Sequence, residues 1–474
     1  MADKNWTGNA NSFFEKYTLV IGGTWLATET ISLTISNKTI TLTLGTTVTT
    51  AQVATDVAAM WNGNPALSSG YTSTSTGNLV PEMNEVTASV SGSTVTFVGD
   101  TSGLPFTMSK AQSSASGTTT LTNTVDATGV NDLANTGNFA EAAALASTNT
   151  FQLDRPVSIQ HGLDQSAVTL TAWNVSERFT AASYAGLPAR RSTGYEEYRE
   201  TFLKIGCTTF SYYGSSGLFK WNAGSVQTAA TMFTGGSSVD VGRSAFQFIG
   251  THASNTVTVL GGDVGIAGNT GEVSTVLTLK QTGGNVFCGS GATLTTVTKD
   301  AGSLTLNSST TTLITNDGET RIRGGTHTTV TMGGGTLTAT AGTITSLLMI
   351  RGSATLDLGM GASTTITKNS GTLDIYTAPT TLTSNAGDTY VQNGGMTTCT
   401  INSGTFYYGA AGSTITTLNL QNCIFDLDSG STAAVTVTTL NVTGNVVIRD
   451  SAKRLTVTNK YPFANGRITY TALS

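Results

Sequence analysis

The chain has 474 residues, 38% of them hydrophobic and only 11% charged, with 54 glycines against 7 prolines and a net charge of −5. Disordered chains combine low hydrophobicity with high charge, so this composition argues for a folded protein rich in tight turns. An acidic balance without a polybasic run excludes nucleic acid and anionic membranes as expected partners.

Residues 1–16 form a polar arm that carries Trp6, Phe13 and Phe14 without periodicity. These three are candidate interface residues expected to become buried in a partner, with folding back onto the α+β domain that follows as the alternative. The arm lacks the apolar stretch of a signal peptide. Assembly in a cytoplasm is therefore expected. From Tyr17 the runs "YTLVI", "TISLTIS" and "TITLTLG" alternate apolar and polar residues, with a hairpin turn at Asn37-Lys38. "TTAQVATDVAAMWN" follows as a helix with Thr50 as N-cap and Val53, Val57, Met60 and Trp61 at helical spacing. "VTASVSGSTVTFVG" then reads as a second hairpin turning at Ser91-Gly92. Residues 17–128 are expected to make a small α+β docking domain.

Residues 129–255 are read as a linker and first solenoid coils, with a short helix over Ala-rich 139–146. Segment 184–222 is the most aromatic and charged of the chain. Its Arg190, Arg191, Tyr195, Tyr198, Tyr212, Tyr213 and Trp221 are candidates for a contact surface, because aromatic residues and Arg concentrate at interface centres. The bland reading is a cap or corner packed on the solenoid.

From Gly284 a repeat emerges. Glycines open successive segments at 284, 302, 318, 335, 352, 371, 387 and 404. About ten residues after the start of the short strand that follows these glycines, one apolar position recurs: Val297, Leu313, Val330, Leu347, Ile366, Leu382, Cys399 and Ile415. Two markers share one period of about 17 residues, the signature of a parallel β-solenoid. Residues 256–448 are expected to be its regular part. Leu, Val and Ile would stack inside, and the β-branched Thr residues would clothe the outer pleat. Residues 449–474, with Arg449, Lys453, Arg454, Lys460, Arg467 and a break at Pro462, are expected to cap the open strand edge. The fold class is thus mainly β: a parallel β-helix behind a small α+β domain.

Signals for chemistry are sparse. Asp357 in "TLDL" and Asp374 in "TLDI" are read as matching positions in neighbouring coils, near the roughly 5 Å of a retaining glycosidase pair; solvated surface is the simpler expectation. The same holds for Asp426 and Asp428 as a cation or carbohydrate site. No GxSxG, HExxH or P-loop is present, and His161, His252 and His327 lie far apart. Cys207, Cys288, Cys399 and Cys423 show no zinc-ligand spacing and are expected as buried free thiols. No catalytic residue, cofactor or metal is expected. The longest apolar runs, such as "LLMI" at 347–350, are too short to cross a bilayer.

At "IQHGLDQSAVTL", "GLPARRSTGYEEYRETFLKIG" and "IGTHASNTVTVLGGDVGIA" the chain resembles the β-helical virion structural proteins of tailed bacteriophages, over roughly 150–290. The resemblance implies a non-enzymatic virion component, with capsid or other virion proteins as partners and a homotrimer as the expected assembly. A capsid decoration protein is the first expectation and a tail fibre or tailspike adhesin binding host glycans the second. A polysaccharide-degrading enzyme and a secreted bacterial adhesin follow.

Overall fold

Thr, Val, Ile and Leu in alternation, punctuated by glycine, give strands, most of them of four to eight residues, rather than helices, and these strands stack. The computed structural model describes residues 2–45, 49–64, 67–180, 182–188, 190–192, 195–215, 217–233, 245–361, 363–410, 412–429, 433–460 and 466–471. It is mainly β, with a parallel β-solenoid of about 15 turns and a small antiparallel-sheet region near the N-terminus. The chain divides into two compact units, one of Met1–Gly206 with Ser216–Asn222, the other of Cys207–Ser215 with Ala223–Ser474.

In the first unit, two four-stranded antiparallel sheets and one helix share a core. The helix Thr50–Trp61 buries Val53, Val57, Met60 and Trp61, the face expected from its spacing. Its N-cap is Thr49, one residue before the expected Thr50, with the side chain accepting from the Gln52 N–H. Trp61 donates its indole N–H to the Val86 carbonyl at 2.7 Å and meets Phe97 edge to face. Both expected hairpins form, as Thr30–Ile35 with Lys38–Thr43 and Val86–Ser91 with Thr94–Gly99.

The arm is where expectation and structure part. Asp3–Asn5 pairs in parallel with Thr150–Leu153, so the first residues belong to a solenoid coil and the α+β region is an insertion within it. Trp6 is buried against Phe139 and Phe151, and the Asn138 side chain ties the arm down by accepting from the Ala10 N–H. The expected helix over 139–146 is absent. That stretch turns instead, with Ala142 at φ 46° and Glu141 accepting both from the backbone and from the side chain of Asn5. Local Ala propensity lost to this tertiary tether.

Segment 184–222 is not one insertion. Tyr184–Ala185, Leu203–Tyr212 and Leu218–Asn222 are ordinary coil strands, and only 186–202 leaves the coil, as a small hairpin of Arg190–Ser192 and Tyr195–Glu196. Trp221 is core as a result: it meets Trp173 edge to face, and Trp173 in turn stacks on Phe151.

In the second unit the register is continuous. Val297, Leu313, Val330, Leu347, Ile366, Leu382 and Cys399 pair in succession, each fully buried. Ile415 does not continue this column. Cys399 pairs with Leu418, and Ile415 stacks on Met396 at the start of the strand. On the outer side Thr296, Thr312, Thr329, Ser346, Thr365, Thr381 and Thr398 form a rank in the same ladder. Asn369, Asn385 and Asn402 link three coils through side-chain amides at 2.7–2.8 Å. The expected cap at 449–474 builds a further coil: Leu455–Lys460 pairs with Val435–Thr443 and Arg467–Thr471 with Asn445–Arg449, while Pro462 lies outside the described residues.

The marker glycines are a line of left-handed corners. Gly371 has φ 90°, and a Cβ there would press on the carbonyl oxygen of Gly352 in the coil below. Gly412 has φ 70° but open space around it. Gly412→Ala should therefore lose only the left-handed penalty, about 1–2 kcal/mol, and Gly371→Ala should lose about 1–3 kcal/mol more. Equal losses in chemical denaturation would show that the corners are not packed on one another.

Candidate functional site

The structure disperses the expected contact surface. Tyr212 and Trp221 are buried in coils, with the Trp221 indole donating to the Ile205 carbonyl at 2.9 Å. Tyr213 is exposed and lies flat on Phe233 with ring centroids 4.1 Å apart. Phe13 and Phe14 remain half exposed, unlike Trp6. The side chains of Arg190 and Arg191 lie outside the described residues.

Tyr195 and Tyr198 do come together, around Arg199. Its guanidinium pairs with Glu85 at 2.6 Å and Glu197 at 3.0 Å, donates to the Tyr195 hydroxyl at 3.0 Å and to the Pro105 carbonyl, and sits 4.5 Å from the Tyr198 ring centroid. The Arg199 and Glu197 side chains are only 8% and 0% exposed. Burial alone would pull the Arg199 pKa down, but Tyr198, Glu197 and Glu85 outweigh it and hold the group charged. Burial pushes the Tyr195 phenol well above its ordinary range. These groups are spent on one another: the cluster fastens the hairpin of 186–202 to the α+β region.

The carboxylate readings change as well. Asp374 pairs with Thr355, and Asp357 lies beyond the end of its strand, so the two are out of register by two residues. Gly352 and Gly371 set that register; the repeated "TLD" does not. Asp374 instead accepts from Gln392 at 3.1 Å. Asp426 and Asp428, expected as solvated surface, are drawn into ion pairs. Asp426 meets Arg449 at 3.3 Å, and Arg454 reaches Asp428 at 2.6 Å and Asp450 at 3.4 Å. The partners lie one coil further on, beyond the reach of local inspection. Backbone N–H groups and Arg454 overcome burial and lower the Asp450 pKa. No group of three metal-ligating side chains occurs among the described residues, and none of their helices is long and apolar enough to cross a membrane.

Sequence reasoning missed the polar interior. Lys299 and Lys368 follow Val297 and Ile366 by two residues, so alternation itself turns them inward, and both are fully buried. Lys368 donates to the carbonyls of Gly371 and Asp388 at 3.1 and 2.8 Å, and Lys299 to that of Asp317. His327 bonds Thr310 at 2.8 Å and the Gly324 carbonyl at 3.0 Å, and burial lowers its pKa. All four cysteines are buried thiols outside any disulfide, with burial raising Cys288 to about 12 and Cys423 to about 11.

Burial lowers Lys368 from 10.5 to about 8. Between pH 8 and 10.5 the unfolded chain therefore binds more protons at this site, and its contribution to stability rises with pH. Met332 and Met349 hold the same inward position in the two preceding coils. Lys368→Met should accordingly stabilise the protein at pH 7 by about 1–3 kcal/mol, an advantage that shrinks toward pH 10.5. Because the ionising thiols act equally in both proteins, they drop out of the difference. Denaturation midpoints at pH 7 and 10 would check it; a gain independent of pH would mean that burial leaves the Lys368 pKa at its unfolded value.

One cleft in the first unit is open to a ligand. Thr7, Gly8, Val130, the run 154–158 and Arg178 enclose about 520 Å³. Arg178 stands 3.8 Å from Asp154, which also accepts from the Ser176 hydroxyl at 2.6 Å. Arg155 makes no hydrogen bond or ion pair among the described residues. No family model, curated protein or solved structure matches the chain.

Proposed function

We propose that this protein is a non-enzymatic structural component of a bacteriophage virion, a capsid-associated decoration protein assembled in the host cytoplasm. The observation that carries the reading is the uniform ladder of the second unit, with glycine corners inside and an almost uncharged rank of Thr outside. Such a body supplies stiffness and lateral surface rather than a reaction centre. The motifs at 150–290 that resemble phage β-helical proteins support it further. The partners are then capsid or other virion proteins and two further copies in a homotrimer, packed through the Thr ranks, with neither nucleic acid nor membrane insertion required.

With Trp6 committed to the core, attachment falls to the exposed pair Phe13 and Phe14. Phe13→Ser with Phe14→Ser should leave the melting temperature almost unchanged and abolish loading onto particles. Immunogold labelling of particles should place hundreds of copies over the head. A few copies at the tail would instead support the second reading, a tail fibre or tailspike adhesin for host-surface glycans. That reading draws on the outward ladder of Tyr390 and Tyr407, stacked 4.3 Å apart beside Asp374 and Gln392. Loss of capsular-polysaccharide breakdown in Asp374→Asn would bring a degrading enzyme forward.

A further inference from the structure

We propose that the cleft of the first unit binds a small hydroxylated carboxylate, of the kind presented by a hexuronic acid. The inference does not rest on the capsid role. At about 520 Å³ the cleft has the volume of a small-molecule site. Its charged groups are only loosely committed to each other. Arg155 is unpaired among the described residues, and Arg178 reaches Asp154 only at 3.8 Å, with side chains 71% and 61% exposed. Guanidinium forks match a carboxylate in two-point contact. Asp154, positioned by the Ser176 hydroxyl, presents a fixed acceptor for a ligand hydroxyl.

The remaining wall selects further. Val130, Pro156 and Val157 offer an apolar side suited to the C–H edge of a ring. Gly8, at φ 64°, also lines the cleft. The buried indole N–H of Trp6 lies behind it without an acceptor, and a Cβ on residue 8 would come within 3.2 Å of that nitrogen. Inorganic phosphate would answer the arginines but brings no C–H edge for Val130, Pro156 and Val157, and its second negative charge is disfavoured beside Asp154. Glucose would bring hydroxyls but leave Arg155 unanswered. A ligand with one carboxylate and several hydroxyls satisfies both.

Calorimetric titration of the full chain with glucuronate, glucose, acetate and inorganic phosphate tests this. An oligomer of galacturonate separates a free sugar acid from a polymer unit as the source. Saturable glucuronate binding, at least tenfold stronger than that of the other three small probes, is expected. Arg155→Ala and Arg178→Ala should each weaken it about tenfold with unchanged melting temperature, since both side chains are exposed. Asp154→Asn should narrow the preference for glucuronate over acetate. No saturation by 10 mM glucuronate, equal binding of phosphate or acetate, or indifference to Arg155→Ala would each overturn the proposal.

Discussion

Leu382→Asp should collapse the stability of the solenoid, whereas Thr381→Asp should hardly register. Leu382 is fully buried between Ile366 and Cys399 of the adjoining coils, and Thr381 stands in the outward rank between Thr365 and Thr398. The inward ammonium of Lys368 in the adjoining coil is already committed to the Gly371 and Asp388 carbonyls, so a carboxylate at 382 enters an apolar column. A poorly paired buried charge costs several kcal/mol even when it neutralises by taking up a proton. The outward substitution should cost well under about 1 kcal/mol. Urea titrations of both variants would decide. Equal losses would mean that the two residues do not face opposite sides of the strand.

Removing Arg199 should produce the second large effect. Arg199→Ala takes from the buried Glu197 carboxylate its 3.0 Å ion pair, and breaking a buried pair from one side costs about 3–5 kcal/mol. Arg199→Met combined with Glu197→Gln removes both charges and should recover most of the loss. Arg199→Lys should recover little, because one ammonium cannot serve Glu85, Glu197, the Tyr195 hydroxyl and the Pro105 carbonyl together. Hydrogen exchange should show the segment 186–202 opening first. If Arg199→Ala were as stable as the parent, the cluster would not fasten that hairpin.

The parts legible in the sequence are those governed by a repeat. The glycine corners and the Leu, Val and Ile column could be read because a period near 17 ties each residue to the one stacked on it. A position that depends on something outside its own coil is not legible locally. Asp357 and Asp374 share a local spelling, but the glycine line fixes the register and sets Asp374 beside Thr355. Asp426 and Asp428 looked solvated because their arginine partners come more than 20 residues later. Trp6 lacked any local period because its neighbours, Phe139 and Phe151, are more than 130 residues away. Lys299 and Lys368 were legible by alternation, but a lysine is rarely expected inside.

The pairing of Asp3–Asn5 with Thr150–Leu153 has a consequence for the order of events during synthesis. The first strand leaves the ribosome long before its partner exists. At ~5–20 residues per second the wait is about 7–30 s. Throughout that interval the intervening α+β region, whose contacts are local to itself, has time to fold and bring the two ends of its own chain near each other. The early strand then closes across a structured bridge instead of a loose loop, at a smaller loss of chain entropy. The inserted region thus acts as a timer and a splint for the first coil, and slowing its folding should delay the start of the solenoid.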